Sequence, residues 1–143
     1  MPKHNIDYSK TVMYKIVCND LSILHSYAGH SSKYTTRKSQ HKYSCNNGDN
    51  KKIYQIIREN GGWENWTMLQ IESYPCANEA EASLRERYWY EQLNADMNTY
   101  VPSRTKHEID ISEEKRAREK IRRVSRKAYL KEYARQYYID NKK

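Results

Sequence analysis

The stretch YAGHSSKYTTRKSQH, residues 27–41, holds a tyrosine, an arginine and a histidine close together in the chain. Arg37 follows Gly29 by eight residues and His41 follows Arg37 by four, so Arg37 and His41 share one face if the segment is helical. Tyr14 lies upstream, and Glu86 and Asn98, twelve residues apart, lie downstream. These residue types suit hydrolysis of a phosphodiester. That reaction needs a group to activate water, positive charge on the developing phosphorane, and usually a divalent metal held by oxygen. Arg37 can clamp a phosphate through two parallel hydrogen bonds. Glu86 can bind one magnesium ion, which keeps most of its waters. Tyr14 or His41 can take the proton from water.

Each residue also has an ordinary structural explanation. Tyr14 and Tyr27 suit a sheet, and Arg37 and His41 suit a solvated helix face. Glu86 sits between Arg85 and Arg87, as a surface ion pair would. Asn98 suits a turn. It is their joint order and spacing that favours chemistry.

The elements that must position them follow from pattern. TVMYKIVC, 11–18, is β-branched and aromatic and reads as a strand. NDLS, 19–22, is a turn, and ILHSYAG, 23–29, is the returning strand of a hairpin that places Tyr14 and Tyr27 on one sheet face. Residues 35–47 read as a helix with a polar, basic surface. KKIYQIIREN, 51–60, is an amphipathic helix with Ile53, Tyr54, Ile57 and Ile56 inward, stopped by Gly61 and Gly62. WTMLQIESY, 66–74, is a third strand ended by Pro75. Asn78 caps a helix running to about Leu93, with Glu81 three residues on in capping-box fashion. After Pro102, residues 112–141 read as one long helix with Ser112 as N-cap. The expected fold class is α+β, a small three-stranded antiparallel sheet flanked by helices, with a long basic C-terminal helix. The expected organisation is a flexible N-terminus over 1–10, a body over 11–102 and a basic helical extension over 103–143.

Together these residues resemble the GIY-YIG nuclease family. VMYKI, 12–16, stands where the family has its glycine-isoleucine-tyrosine; Tyr14 is kept and Val12 replaces the glycine. YAG, 27–29, is similar to the second half of the motif. Arg37 is similar to the family's arginine, and His41 to a histidine of some restriction-type members. RERYWYEQLNADMN, 85–98, resembles the glutamate helix and its trailing asparagine. IRENGGWENW, 57–66, resembles a connector of viral and mobile-element members. The resemblance spans about residues 11–100 and implies metal-dependent endonucleolytic cleavage of DNA with one Mg2+ or Mn2+ ion. It implies Tyr14 as general base or an aid to water activation, Tyr27 as a positioner of water or phosphate, and Arg37 as stabiliser of phosphate charge. It further implies Glu86 as metal ligand and Asn98 as a hydrogen-bonding brace, and leaves open which of Tyr14 and His41 is the base.

Charge separates the chain. Residues 1–102 carry 12 lysines and arginines against 11 acidic residues, whereas 103–143 carry 14 against 7. A near-neutral body with a basic tail points to a polyanion partner, DNA above all. Lys33, Lys38 and Lys42 near the first helix, and Arg116, Arg122, Arg123, Arg126 and Lys127 on the tail, are the expected DNA contacts. The tail's narrow stripe of Ala117, Ile121, Val124 and Ala128 is compatible with docking or a homodimer. Two other classes fit less of the sequence: a DNA-binding module on the same fold that does not cut, and an interaction domain whose basic helix meets an acidic protein. The three cysteines, Cys18, Cys45 and Cys76, are odd in number and form no CxxC, which argues against a disulfide framework; His41 and Cys45 are four apart with Cys18, His25 and His30 nearby, but without CxxC or HxxxH the spacing is poor for structural zinc. Without a signal peptide or a long apolar run, the expectation is a soluble intracellular protein with no membrane partner.

Overall fold

The computed structural model describes residues 5–142. β1 (Val12–Cys18) lies at the centre of an antiparallel sheet in the order β2-β1-β3, flanked by β2 (Ser26–Ser31) and β3 (Trp66–Ser73). Between β2 and β3 come α1 (Tyr34–Asn46) and α2 (Lys52–Glu59); α3 (Glu79–Gln92) and α4 (Lys106–Asp140) follow. This is the α+β fold that the sequence pattern predicts. The chain divides after Ser103 into two compact units.

β1 buries Tyr14, Ile16 and Cys18 on one face and Met13 on the other, where Lys15 and Val17 are half-buried. Tyr14 pairs with Gly29 and Ile16 with Tyr27, so all four side-chain positions share one face. That face meets a core of Cys45, Ile53, Tyr54, Ile57, Trp63, Trp66, Met68 and Met97. Burying this material on α1 and α2 holds the two short helices, neither of which would persist alone. Ala28 and His30 point to the other face, where α3 packs against β2.

The local signals work by identifiable contacts. α2 stops at a glycine pair in the left-handed region, Gly61 at φ 95° and Gly62 at φ 80°, and the Gly62 N–H donates to the Ile57 carbonyl at 2.9 Å. A side chain at Gly61 would also meet that of Asn65. Asn78 Oδ1 accepts from the Glu81 N–H at 3.0 Å, while Glu81 reaches back to the Ala77 N–H rather than that of the cap itself.

Three boundaries differ from the sequence reading. β2 begins at Ser26, not residue 23, because Asp20 accepts from both the backbone and the hydroxyl of Ser22 and widens the turn. The last helix begins at Lys106, not Ser112. Thr105 and Glu108 form a full capping box, and Ser112 lies inside the helix with its hydroxyl donating to the Ile109 carbonyl. The flexible segment expected over 1–10 falls partly on residues 1–4, outside the described residues, whereas Tyr8–Lys10 form a 3-10 turn capped by Asp7.

Candidate active site

β1, β2, α1, α3 and the segment after α3 supply the six candidate residues of the body. Tyr27, Arg37, His41, Glu86 and Asn98 line one cleft of about 450 Å³ together with Lys51, Tyr54 and residues 99–102. Tyr14 lies one layer behind it, 1% exposed.

The Tyr14 ring is held by neighbours on several sides. Its centroid lies 6.2 Å from those of Tyr27 and Tyr34 and 5.8 Å from that of His41. Its hydroxyl bonds to His41 Nε2 at 2.8 Å and accepts from Arg37 Nε at 3.4 Å. Burial, with Tyr27 beside it, pushes the Tyr14 phenol far above its usual range, and Arg37 offsets part of that. The Tyr27 phenol is raised by burial and by the charge of Glu86. Both are neutral phenols at physiological pH.

His41 projects from α1 into this aromatic box and is 1% exposed. Its ring stacks on Trp63 at 6.4 Å, and Nδ1 bonds to the Tyr54 hydroxyl at 3.0 Å. Burial, then the charges of Arg37 and Lys51, lower its pKa to about 3. His41 is therefore a neutral imidazole with both nitrogens engaged. Arg37 stays a cation: burial opposes its charge, but Tyr14 and the neighbouring phenols outweigh burial. Its Nη1 donates to Gln40 at 3.3 Å.

Glu86 reaches the cleft from α3. One carboxylate oxygen bonds to His30 Nδ1, and His30 Nε2 lies 3.2 Å from Glu79. Burial works against the His30 charge, yet Glu86 and Glu79 together hold its pKa above the ordinary value. Asn98 uses both ends of its amide on one residue of β2: the Ala28 N–H donates to Oδ1 at 3.1 Å, and Nδ2 donates to the Ala28 carbonyl at 2.8 Å. It thus completes the free edge of β2 as a neighbouring strand would.

The candidate DNA contacts scatter more widely. Lys33 lines a separate hollow with Ser31, Ser32, Thr36 and the other side of Arg37. Lys38 is exposed on α1, and Lys42 lies 3.6 Å from Glu64. In the second unit, Arg122, Arg123 and Arg126 line a shallow groove on α4 with Glu119, and Arg116 and Lys127 are exposed on the same helix.

Sequence reasoning did not assign Tyr54, His30 or Lys51 to the site. Tyr54 carried the signature of a core residue on an amphipathic helix, and it is one, at 3% exposure. His30 carried a usable signal: it directly follows YAG and alternates to the face that α3 covers.

Among the described residues no group of three or more His, Cys, Asp or Glu could hold a metal ion. His25 is bonded to Asp96 at 2.5 Å and His41 to two tyrosines, so the histidines and cysteines do not converge as zinc would require. Glu86, the carboxylate lining the cleft, suits a hard divalent ion that takes most of its ligands from water and substrate oxygens.

A family model described as the GIY-YIG catalytic domain matches residues 10–100. Two solved structures are similar in fold. One is the catalytic domain of the homing endonuclease I-TevI, 22% identical, with a TM-score of 0.52 over 64% of this chain and 96% of that one. The other is a glutamate-to-alanine mutant of the catalytic domain of the intron endonuclease I-TevI, 21% identical, with a TM-score of 0.52 over 67% of this chain and 97% of that one. A search of curated proteins found no match.

Proposed function

The chain belongs to the GIY-YIG nuclease family, and from that premise we propose that it is an active, metal-dependent DNA endonuclease. The observation that carries this reading is the convergence of Tyr27, Arg37, His41, Glu86 and Asn98 on one cleft, with Tyr14 bonded behind it to Arg37 and His41.

Arg37 binds the scissile phosphate and stabilises the charge that grows on it during attack. Tyr27 positions water or phosphate at the cleft wall. The Tyr14–His41 pair receives the proton of the attacking water; His41 is neutral at working pH, so the pair can take up that proton. Asn98 keeps the edge of β2 in register so that Tyr27 faces the cleft. Glu86 would hold one magnesium or manganese ion, which would supply Lewis-acid stabilisation of the phosphate charge.

α4 is the DNA-binding arm in this reading. None of its residues is buried, and its arginines offer phosphate contacts without sequence choice. Lys33, Lys38 and Lys42 extend the cationic surface of the body. Among the described residues no helix is long and apolar enough to cross a membrane.

The test is relaxation of supercoiled plasmid with magnesium, with manganese and with EDTA, comparing the wild type to Glu86→Ala. Metal-dependent nicking lost in the variant is expected. Salt-sensitive DNA binding without nicking in either metal would replace the nuclease with a binding module.

A further inference from the structure

Tyr54 takes no part in that mechanism, yet its hydroxyl is bonded to His41. The hydroxyl lies 3.0 Å from His41 Nδ1, on the opposite side of the ring from the Tyr14 hydroxyl at 2.8 Å from Nε2. A neutral imidazole carries one proton and one lone pair, so one tyrosine must donate to it and the other must accept from it.

Tyr14 decides the direction. Among the described residues its hydroxyl has two partners, His41 Nε2 and Arg37 Nε. Arg37 can only donate. If His41 Nε2 also donated, the Tyr14 oxygen would accept twice and its own hydrogen would point at no acceptor, in a side chain 1% exposed. A buried hydroxyl left so carries its full desolvation penalty. In the other arrangement the hydrogen without a protein acceptor is that of Tyr54, which lines the cleft, whereas Tyr14 does not. Tyr14 then donates to Nε2, and Nδ1–H donates to the Tyr54 oxygen.

We propose that Tyr54 is a positioning residue that fixes His41 as the Nδ1–H tautomer and thereby fixes the direction of the Tyr14–His41 hydrogen bond. The consequence, which rests on the nuclease reading, is a division of labour. With its hydrogen committed to His41, Tyr14 meets Arg37 as an acceptor. His41 has no free lone pair for water and serves to hold, and then receive, the Tyr14 proton. The proton of water passes to the Tyr14 oxygen, the proton of Tyr14 passes to Nε2, and the imidazolium keeps its Nδ1–H bond to Tyr54. Hydroxide is left for attack, and the pair gains one proton and one positive charge.

The test is a long-range proton–nitrogen correlation spectrum of the 15N-labelled full chain near neutral pH, with His41 assigned through its backbone. Wild type is expected to show protonated Nδ1 and bare Nε2. The Tyr54→Phe variant, which removes the acceptor at little cost in volume, is expected to move His41 toward the Nε2–H form. Its single-turnover nicking rate should fall about ten-fold or more with DNA affinity held within about two-fold. A wild-type spectrum showing Nε2–H overturns the proposal, as does a folded Tyr54→Phe variant with an unchanged tautomer or an undiminished rate. Should the variant not fold, the wild-type spectrum decides alone. Should the wild type not cut DNA, the nuclease reading fails while the spectra still decide the tautomer.

Discussion

The Tyr14 ring crosses directly over Gly29, its partner on the neighbouring strand. A Cβ at position 29 would lie 2.5 Å from both Cζ and the hydroxyl oxygen of Tyr14. This explains why the two halves of the sequence motif belong together: the glycine of YAG is the floor on which the tyrosine of VMY rests. The ring cannot swing aside, since Tyr27, Tyr34 and His41 stand around it. Gly29→Ala should therefore destabilise the protein by about 1–3 kcal/mol through overpacking. Urea denaturation reads this as a lowered midpoint at unchanged slope. An unshifted midpoint would mean that the ring yields freely.

Asn98 acts on the same strand from its outer edge. Asn98→Ala removes both bonds to Ala28, itself fully buried, and leaves a backbone donor and acceptor unpaired. The expected loss is about 1–3 kcal/mol in stability. Faster amide exchange at Ala28 is the site-specific readout; unchanged exchange there would show that the amide pair does not secure the edge.

His41 makes the fold sensitive to acid. In the unfolded chain it takes a proton near its ordinary value of 6.5, and in the folded chain at about 3. Between those values the unfolded state binds more protons, so stability rises with pH and is lost as pH falls below about 6.5. The slope from this one group approaches about 1.4 kcal/mol per pH unit. Denaturation curves of wild type and His41→Gln between about pH 5 and 6.5 isolate it, because carboxylate contributions are shared. Parallel slopes would show that His41 titrates normally.

What the sequence made legible follows from what is local. The spacing of Arg37 and His41 on α1, the inward face of α2 and the Asn78 cap depend on near neighbours, and each is seen in the fold. The start of α4 was missed because the run of charges from residue 112 is conspicuous, whereas Thr105 and Glu108 work through two hydrogen bonds that no periodicity announces. The roles of Tyr54 and His30 depend on which strands and helices meet, and residue types alone do not specify that. Tyr54 reads as core because it is core; its hydroxyl matters because α1 delivers His41 to it.

Val12 stands at the position where the motif has glycine, and its backbone does not require one. Among the described residues the non-glycine positions with positive φ are Asn94 and Ser103, so Val12 has ordinary strand geometry, paired with Ser31 and Ser73. Val12→Gly should cost about 0.5–1 kcal/mol, the penalty of glycine in a strand, with no gain in nicking rate. A variant that cuts faster than wild type would show that valine obstructs the site.

The arginine groove on α4 gives the last prediction, which concerns binding and not cleavage. Arg122, Arg123 and Arg126 lie together on an exposed helix, and the sole acidic side chain lining their groove is Glu119. If each neutralises one phosphate, replacing all three with alanine in the full chain removes about three released counterions. The slope of log affinity against log salt should become shallower by about 2–3. Because these contacts carry no base readout, affinity should fall alike on unrelated duplexes. Fluorescence anisotropy on two duplexes of different sequence, across about 50–200 mM salt, measures both effects. A slope equal to wild type would remove the groove from the DNA interface. A loss confined to one duplex would make it a reader of sequence instead of a phosphate contact.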